Sequence, residues 1–344
     1  MSLLQMRKQA GFSLTELMIA LALGLFVSGA AAYLFISANS AYNTQSNYLA
    51  MQENARTAFE VLKREIRGAG YLGCSNLRQR SPTIVSGAQN IPATAIQVFP
   101  NGDSWPGDAW IDVTRATGPD VIVVRWVPNT TCGMANLPEL DGSTLTLSVS
   151  GGACNFNNNE NVVVADCRNA ALTTMTKDAA QADGDVNTTL ELNASGLEST
   201  GFGRETQVWK YAERHFFIGL DPDDNSPTLY MIDRQGTANN FTEPEEVDLI
   251  GNVYDMQFFI STTNEEGGIS AVSARPDNNT SWNDVVLLTI ALSVRSNQPN
   301  EVSNTSYTTS SSDALYQGNS TLTYADDARL KQTYRFSIAL RNSI

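Results

Sequence analysis

Residues Phe12–Ile36 read FSLTELMIALALGLFVSGAAAYLFI, a run of 25 residues with one charged side chain, Glu16. Wound as an α-helix at about 1.5 Å per residue it extends about 38 Å, enough to cover a hydrocarbon core about 30 Å thick. The preceding stretch, MSLLQMRKQAG, carries two cations, Arg7 and Lys8. Positive charge on that flank places the N-terminus in the cytoplasm and everything after Ser37 in the opposite compartment. Glu16 needs a physical account, because a carboxylate inside an apolar helix costs roughly 3 kcal/mol.

The helical pattern does not stop at the end of the apolar run. From Ser37 to about Arg67 the chain is polar but free of Pro, and Ala55, Phe59, Leu62 and Ile66 recur at helical spacing. Glu53, Arg56, Glu60, Lys63 and Arg64 fall on the other faces. The spacing predicts one long helix, apolar all round in its first half and amphipathic in its second, ended by Gly68, Gly70 and Gly73. Beyond Tyr71 the periodicity becomes that of strands. Asp120–Val127 and Val162–Val164 are apolar runs suited to buried strands, and Asp284–Arg295 and Gln332–Arg341 alternate. Ala95–Phe99, Ser143–Val149, Val208–Ile218, Thr228–Ile232 and Val253–Ile260 are weaker strand candidates. Gly, Asn, Pro and Asp between them favour antiparallel sheet over repeated βαβ units. The fold class expected is α+β: a long N-terminal helix packed on a large, mainly antiparallel β-sheet head. Ser303–Thr323, rich in Ser, Thr and Asn, reads as a long surface loop or flap.

Composition narrows the function. Among 344 residues, 22 Lys and Arg stand against 36 Asp and Glu, for a net charge of −14. Such an acidic balance argues against a surface built to grip phosphate backbones. A single His, His215, rules out multi-His metal centres. It lies in an aromatic strand, with no G-x-S-x-G elbow or H-E-x-x-H helix beside it, and reads as a packed residue. Asp221–Asn225 and Asp183–Asn187 space carboxylates as a Ca²⁺ loop can, but neither completes an EF-hand pattern, and both read as turns. Trp105, Trp110 and Trp282 offer either an exposed adhesive surface or core packing, the expected reading. No cofactor, metal site or assembled catalytic group is expected. Cys74, Cys132, Cys154 and Cys167 all lie on the exported side, where disulfides form. Four cysteines allow three connectivities. The preferred one is Cys132–Cys154 as a local clasp and Cys74–Cys167 tying the helix exit to the sheet; free thiols and zinc are the competing readings, though no CxxC occurs.

The sequence Gly11-Phe12-Ser13-Leu14-Thr15-Glu16, after a basic leader and before an unbroken apolar helix, resembles the processing site of type IV prepilins and pseudopilins. The resemblance implies that prepilin peptidase cuts between Gly11 and Phe12 and N-methylates Phe12. The apolar helix is then kept as membrane anchor and later as filament core. A secretory signal cut after Ala30-Ala31-Ala32 is the alternative. Glu16 lies four residues, about 6 Å, along the helix from the new Phe12 amine. Nothing else in Phe12–Ile36 is cationic, so the amine of its own chain or of a neighbour is its natural partner. Such a buried pair sets register more reliably than it adds stability. A Glu16 side chain reaching to the membrane interface is the competing account.

Residues Gln52–Tyr71 are similar to the corresponding segment of PilW-type minor pilins. So are Tyr211–Gly219 with Pro227–Tyr230, Val253–Phe258, Trp282–Arg295 and Phe336–Asn342. The resemblance implies a pilin-like division into leader (1–11), transmembrane or filament-core helix (12–36), amphipathic helix (37–67) and β-rich head (68–344). It implies a minor pilin that primes pilus assembly and sits at the tip, supporting twitching motility, adhesion or DNA uptake. Its partners would be other minor pilins, the major pilin, prepilin peptidase and the inner-membrane assembly platform, with no direct grip on nucleic acid. The protein would sit in the inner membrane before assembly and in the extracellular pilus afterwards. A type II secretion pseudopilin of the J kind shares the same N-terminal logic, and a tip adhesin or binding module is the reading from another class.

Overall fold

The computed structural model describes residues 13–72, 75–76, 83–85, 94–100, 103–127, 132–134, 139–150, 154–166, 169–181, 187–194, 202, 205–235, 246–262, 268–270, 275–276, 280, 282, 284–299 and 329–340. Its dominant element is a single helix, Leu14–Gly68, of 55 residues. At about 1.5 Å per residue it is about 83 Å long. Its last turn gives way to Ala69 in extended conformation and Gly70 at φ 82°, a left-handed geometry that favours glycine. The Gly70 amide donates to the Arg125 carbonyl at 2.7 Å, which turns the chain into the sheet.

Only the second half of this helix is buried. Residues 13–39 are exposed throughout, and the fully buried seam is Met51, Ala55, Ala58, Leu62 and Ile66. The sequence reading placed Phe59 in that seam. Ala58 occupies it instead, because steps of four, three, four and four residues follow the 3.6-residue turn. Phe59 sits at the margin and stacks on Phe336 of the last strand, ring centroids 4.1 Å apart.

Among the described residues three larger sheets build the head, beside a two-stranded ribbon of Tyr71–Leu72 and Ser75–Asn76 at the helix exit. A C-terminal meander of Val253–Thr262, Val285–Pro299 and Arg329–Ala339 is antiparallel throughout and faces the helix. A six-stranded central sheet runs Glu246–Gly251, Pro227–Gln235, Ala212–Leu220, Val121–Trp126, Ile96–Phe99, with Thr114–Arg115 also paired to Ala212–Leu220. The nine-stranded sheet includes Thr144–Ser150, Asn161–Ala165, Ala170–Thr174, Asn187–Asn193 and Gln207–Lys210. Among the described strand pairs the sole parallel one joins Ala170–Thr174 to Thr83–Ile84. The expected α+β architecture is thus the observed one.

The strands read as apolar runs are those buried on both faces. In Asn161–Ala165, Val163 and Ala165 enter the core under the helix, while Val162 and Val164 enter a second core with Leu145, Leu147, Leu190 and Leu192. In Val121–Trp126, Ile122 and Val124 face the helix side, and Val121 and Val123 face a third, aromatic cluster. One expectation needs correction. Val208–Ile218 is not a single strand: it breaks at Tyr211 into Gln207–Lys210 and Ala212–Leu220. The first half pairs with Asn161–Ala165 and the second with Val121–Trp126, so the chain changes sheets there. The Ser303–Thr323 stretch lies outside the described residues.

Candidate functional site

The apolar half of the helix is the feature the fold leaves unpartnered. Leu14, Leu17, Met18, Ile19, Leu25 and Phe26 are all more than half exposed. The helix is long and apolar enough to cross a membrane, and none of its most apolar window is buried. Each such side chain forfeits about 1.5–3 kcal/mol while it stays in water. A bilayer, or the apolar helices of other subunits, is the surrounding that restores this energy.

Glu16 begins that surface. Ser13 is the N-cap: its hydroxyl accepts from the Glu16 amide at 3.2 Å, and the Ser13 amide donates to Glu16 Oε2 at 3.0 Å. This is a reciprocal capping box, which satisfies two of the amide donors a helix start leaves open. The Ser13-x-x-Glu16 spacing is the sequence signature of such a box, and it assigns Ser13 a capping role beside any docking role of Glu16. The carboxylate therefore already sits at the positive end of the helix macrodipole. Gly11 and Phe12 lie outside the described residues.

The other half of the helix is fastened to the head by polar as well as apolar contacts. Asn54 Nδ2 donates to the Gly251 carbonyl at 3.3 Å. Arg214 reaches Glu65 of the helix at 2.8 Å and Asp233 of the neighbouring strand at 2.7 Å, with its guanidinium 4.5 Å above the Trp126 ring. Burial works against the Arg214 charge, but the Asp233 and Glu65 carboxylates outweigh it and raise its pKa above the usual value. Axial force on the helix thus passes into the central sheet through the charge pairs and into the C-terminal meander through the Phe59–Phe336 stack. Asp120, fully buried, fixes the sheets to each other. Its amide donates to the Met256 carbonyl, its carboxylate accepts from the Phe258 amide at 2.9 Å, and it pairs with Arg275.

The remaining candidate residues serve packing. His215 is 3% exposed and accepts from the Trp105 indole at Nδ1, 3.0 Å away. Beside it Arg125, Glu213 and Arg234 form a row across three paired strands, at 3.3 and 2.6 Å. Burial opposes the Glu213 charge, but His215, Arg125 and Arg234 more than offset it and hold the carboxyl at about 2. Trp105 is buried, whereas Trp110 and Trp282 are half-buried. Asp221–Asn225 is a turn: Asp221 accepts from the Asp223 amide at 2.9 Å, and Asn225 takes a left-handed φ of 54°. Asp183 and Asp185 lie outside the described residues, and Asn187 opens a strand. Among the described residues no three His, Cys, Asp or Glu side chains converge on a metal site. Cys132 and Cys154 form the expected disulfide, which braces the second core. Cys74 and Cys167 lie outside the described residues.

Comparison with known families touches both ends of this architecture. Residues 6–32 match the prokaryotic N-terminal methylation motif, and residues 215–342 match the Type IV Pilus-assembly protein W family. The second match spans the last strands of the central sheet and the whole meander that seats the helix. Neither curated proteins nor solved structures returned a match. A methylation motif of this kind implies processing by prepilin peptidase and handling by the pilus-assembly machinery. The chain carries a prepilin-type N-terminal methylation motif and a type IV pilus-assembly protein W domain.

Proposed function

We propose that this protein is a minor pilin, a structural subunit that joins other minor pilins and the major pilin to prime a type IV pilus and remains at its tip. Prepilin peptidase cuts after Gly11, and Phe12 becomes the methylated N-terminus. The helix waits in the inner membrane with the head in the periplasm, then moves into the filament core. Glu16 and the Phe12 amine of a neighbouring subunit set the docking register. The observation that carries this reading is the contrast along one continuous helix: residues 13–39 bare, Met51–Ile66 locked into the sheets. A bare apolar rod rigidly fixed to a folded head suits insertion among like rods, with the head left outside. As a tip subunit it would support twitching motility, adhesion or DNA uptake through its partners, without itself gripping nucleic acid.

N-terminal mass spectrometry of the protein from cells with and without prepilin peptidase tests this. The reading requires a methylated Phe12 terminus in the first case and an uncut leader in the second. A terminus after Ala32 would end it, because most of the apolar half of the helix would then be discarded.

A further inference from the structure

On the face of the central sheet turned away from the helix, residues 103–113 form a strap that contains the 3-10 turn Pro106–Ala109. Trp105 anchors it. The indole is 1% exposed, packs on Phe217 with centroids 5.2 Å apart, and is wrapped so closely that a Cβ on Gly107 would lie 2.0 Å from it. Its only polar atom donates to His215 Nδ1 at 3.0 Å.

This hydrogen bond fixes a protonation state. An indole nitrogen donates and cannot accept, so His215 Nδ1 must be bare, and the imidazole proton lies on Nε2, 3.2 Å from Glu213 Oε1. A second proton would set one N–H against another across the Trp105 contact. Of the charged groups around His215, the Arg125 and Arg234 guanidiniums resist it and the Glu213 carboxylate favours it. Glu213 on its own strand is already shared by Arg125 and Arg234 from the two flanking strands, and Arg234 lies 3.6 Å over the Trp110 ring whose edge meets His215. The cross-strand neighbours Val123 and Ile232 carry no charge. From the strap side, Asp108 is paired with Arg115, whose guanidinium stands 5.9 Å from the Trp105 ring.

We infer that the Trp105–His215 hydrogen bond is an acid-sensitive latch: protonation of His215 releases the 103–113 strap and uncovers the apolar floor beneath it. That floor is Phe99, Val121, Val123, Phe217, Tyr230 and Ile232, a cluster separated by the sheet from the core under the helix. The strap can therefore lift without dismantling the fold, as a local opening. Burial, with the two guanidiniums, holds the buried imidazole below its usual pKa against the pull of Glu213. The released form binds the proton more readily than the closed one, so the closed state is fully favoured above about pH 6.5 and loses ground as pH falls below it.

Hydrogen-exchange mass spectrometry of the full chain in detergent micelles tests the latch. After correction for intrinsic exchange, protection of residues 103–113 should fall about tenfold between about pH 7.5 and about pH 5.5, the uptake of one proton by a freed imidazole of pKa about 6.5. Residues 51–66 and 253–262 should keep theirs. His215→Asn puts an amide oxygen near the position of Nδ1 and cannot titrate, so its strap should stay protected at both pH values. Should that variant fold poorly, Trp105→Phe removes the donor and should give a strap weakly protected at both. An unchanged wild-type strap, an equal fall in either variant, or loss of protection along the whole chain together would each overturn the proposal.

Discussion

Replacing Glu213 by Gln removes one negative charge and almost no volume, and it should be among the costliest conservative changes in the head. Arg125 is 3% exposed, and among the described residues it would be left with neutral acceptors: Thr94 and Gln97 at 3.0–3.3 Å, and the amide oxygen of the new Gln. Arg234 would lose the negative charge now 2.6 Å away while still beside Arg125. Breaking a buried pair and stranding the other charge costs about 3–5 kcal/mol. The depressed carboxyl gives a similar figure independently. A fall from 4.5 to about 2 corresponds to stabilisation on the order of 3 kcal/mol at neutral pH. The sign follows from linkage: a carboxyl whose pKa is lowered by folding contributes its stability above about pH 4.5 and loses it as pH falls toward about 2. Urea unfolding of the detergent-solubilised chain, followed by tryptophan fluorescence, should show Glu213→Gln weaker by about 3–5 kcal/mol at pH 7. The gap to wild type should close in acid. A cost below about 1 kcal/mol at neutral pH, the value of an exposed ion pair, would refute the reasoning. So would a gap that persists undiminished near pH 2.5.

Other substitutions test separate joints. Leu62→Ala, at a fully buried seam position, should cost about 2–5 kcal/mol in the same unfolding assay. Cys154→Ser opens the 22-residue loop closed by the disulfide, and should cost about 3 kcal/mol and loosen hydrogen exchange in 144–150 and 187–193 first. Gly107→Ala drives a methyl group into the Trp105 ring; overpacking of this kind costs about 1–3 kcal/mol, and near-ultraviolet circular dichroism should register the displaced indole.

What could be read from the sequence was whatever repeats over short distances. The helix from Leu14 to Gly68, the alternating strands at 285–299 and 329–339, and the apolar runs at 121–126 and 161–165 all carry their own period. Ala170–Thr174, Asn187–Asn193 and Glu246–Gly251 carry no such signal, because AALTT, NTTLELN and EVDLIG are short and weakly apolar and become strands through their partners. The break at Tyr211 was hidden for a related reason: a continuous aromatic run gives no sign that its halves belong to different sheets. The Arg125–Glu213–Arg234 row depends on register between strands 88 and 21 residues apart. The Asp120 clamp links residues 138 and 155 positions apart. No local pattern encodes either. The capping role of Ser13 was legible, since its spacing to Glu16 is a known helix-start signature.

The most direct test of the account is the amount of a Glu16→Gln variant recovered in sheared pili, measured against the same protein in the cell. Gln keeps the side chain's length and the chance to cap Ser13, but loses the charge that a neighbouring Phe12 amine would meet. The account predicts a correctly cleaved, methylated and folded protein that stays in the membrane fraction and is nearly missing from the fibres. Recovery at wild-type levels, with normal piliation, would contradict it.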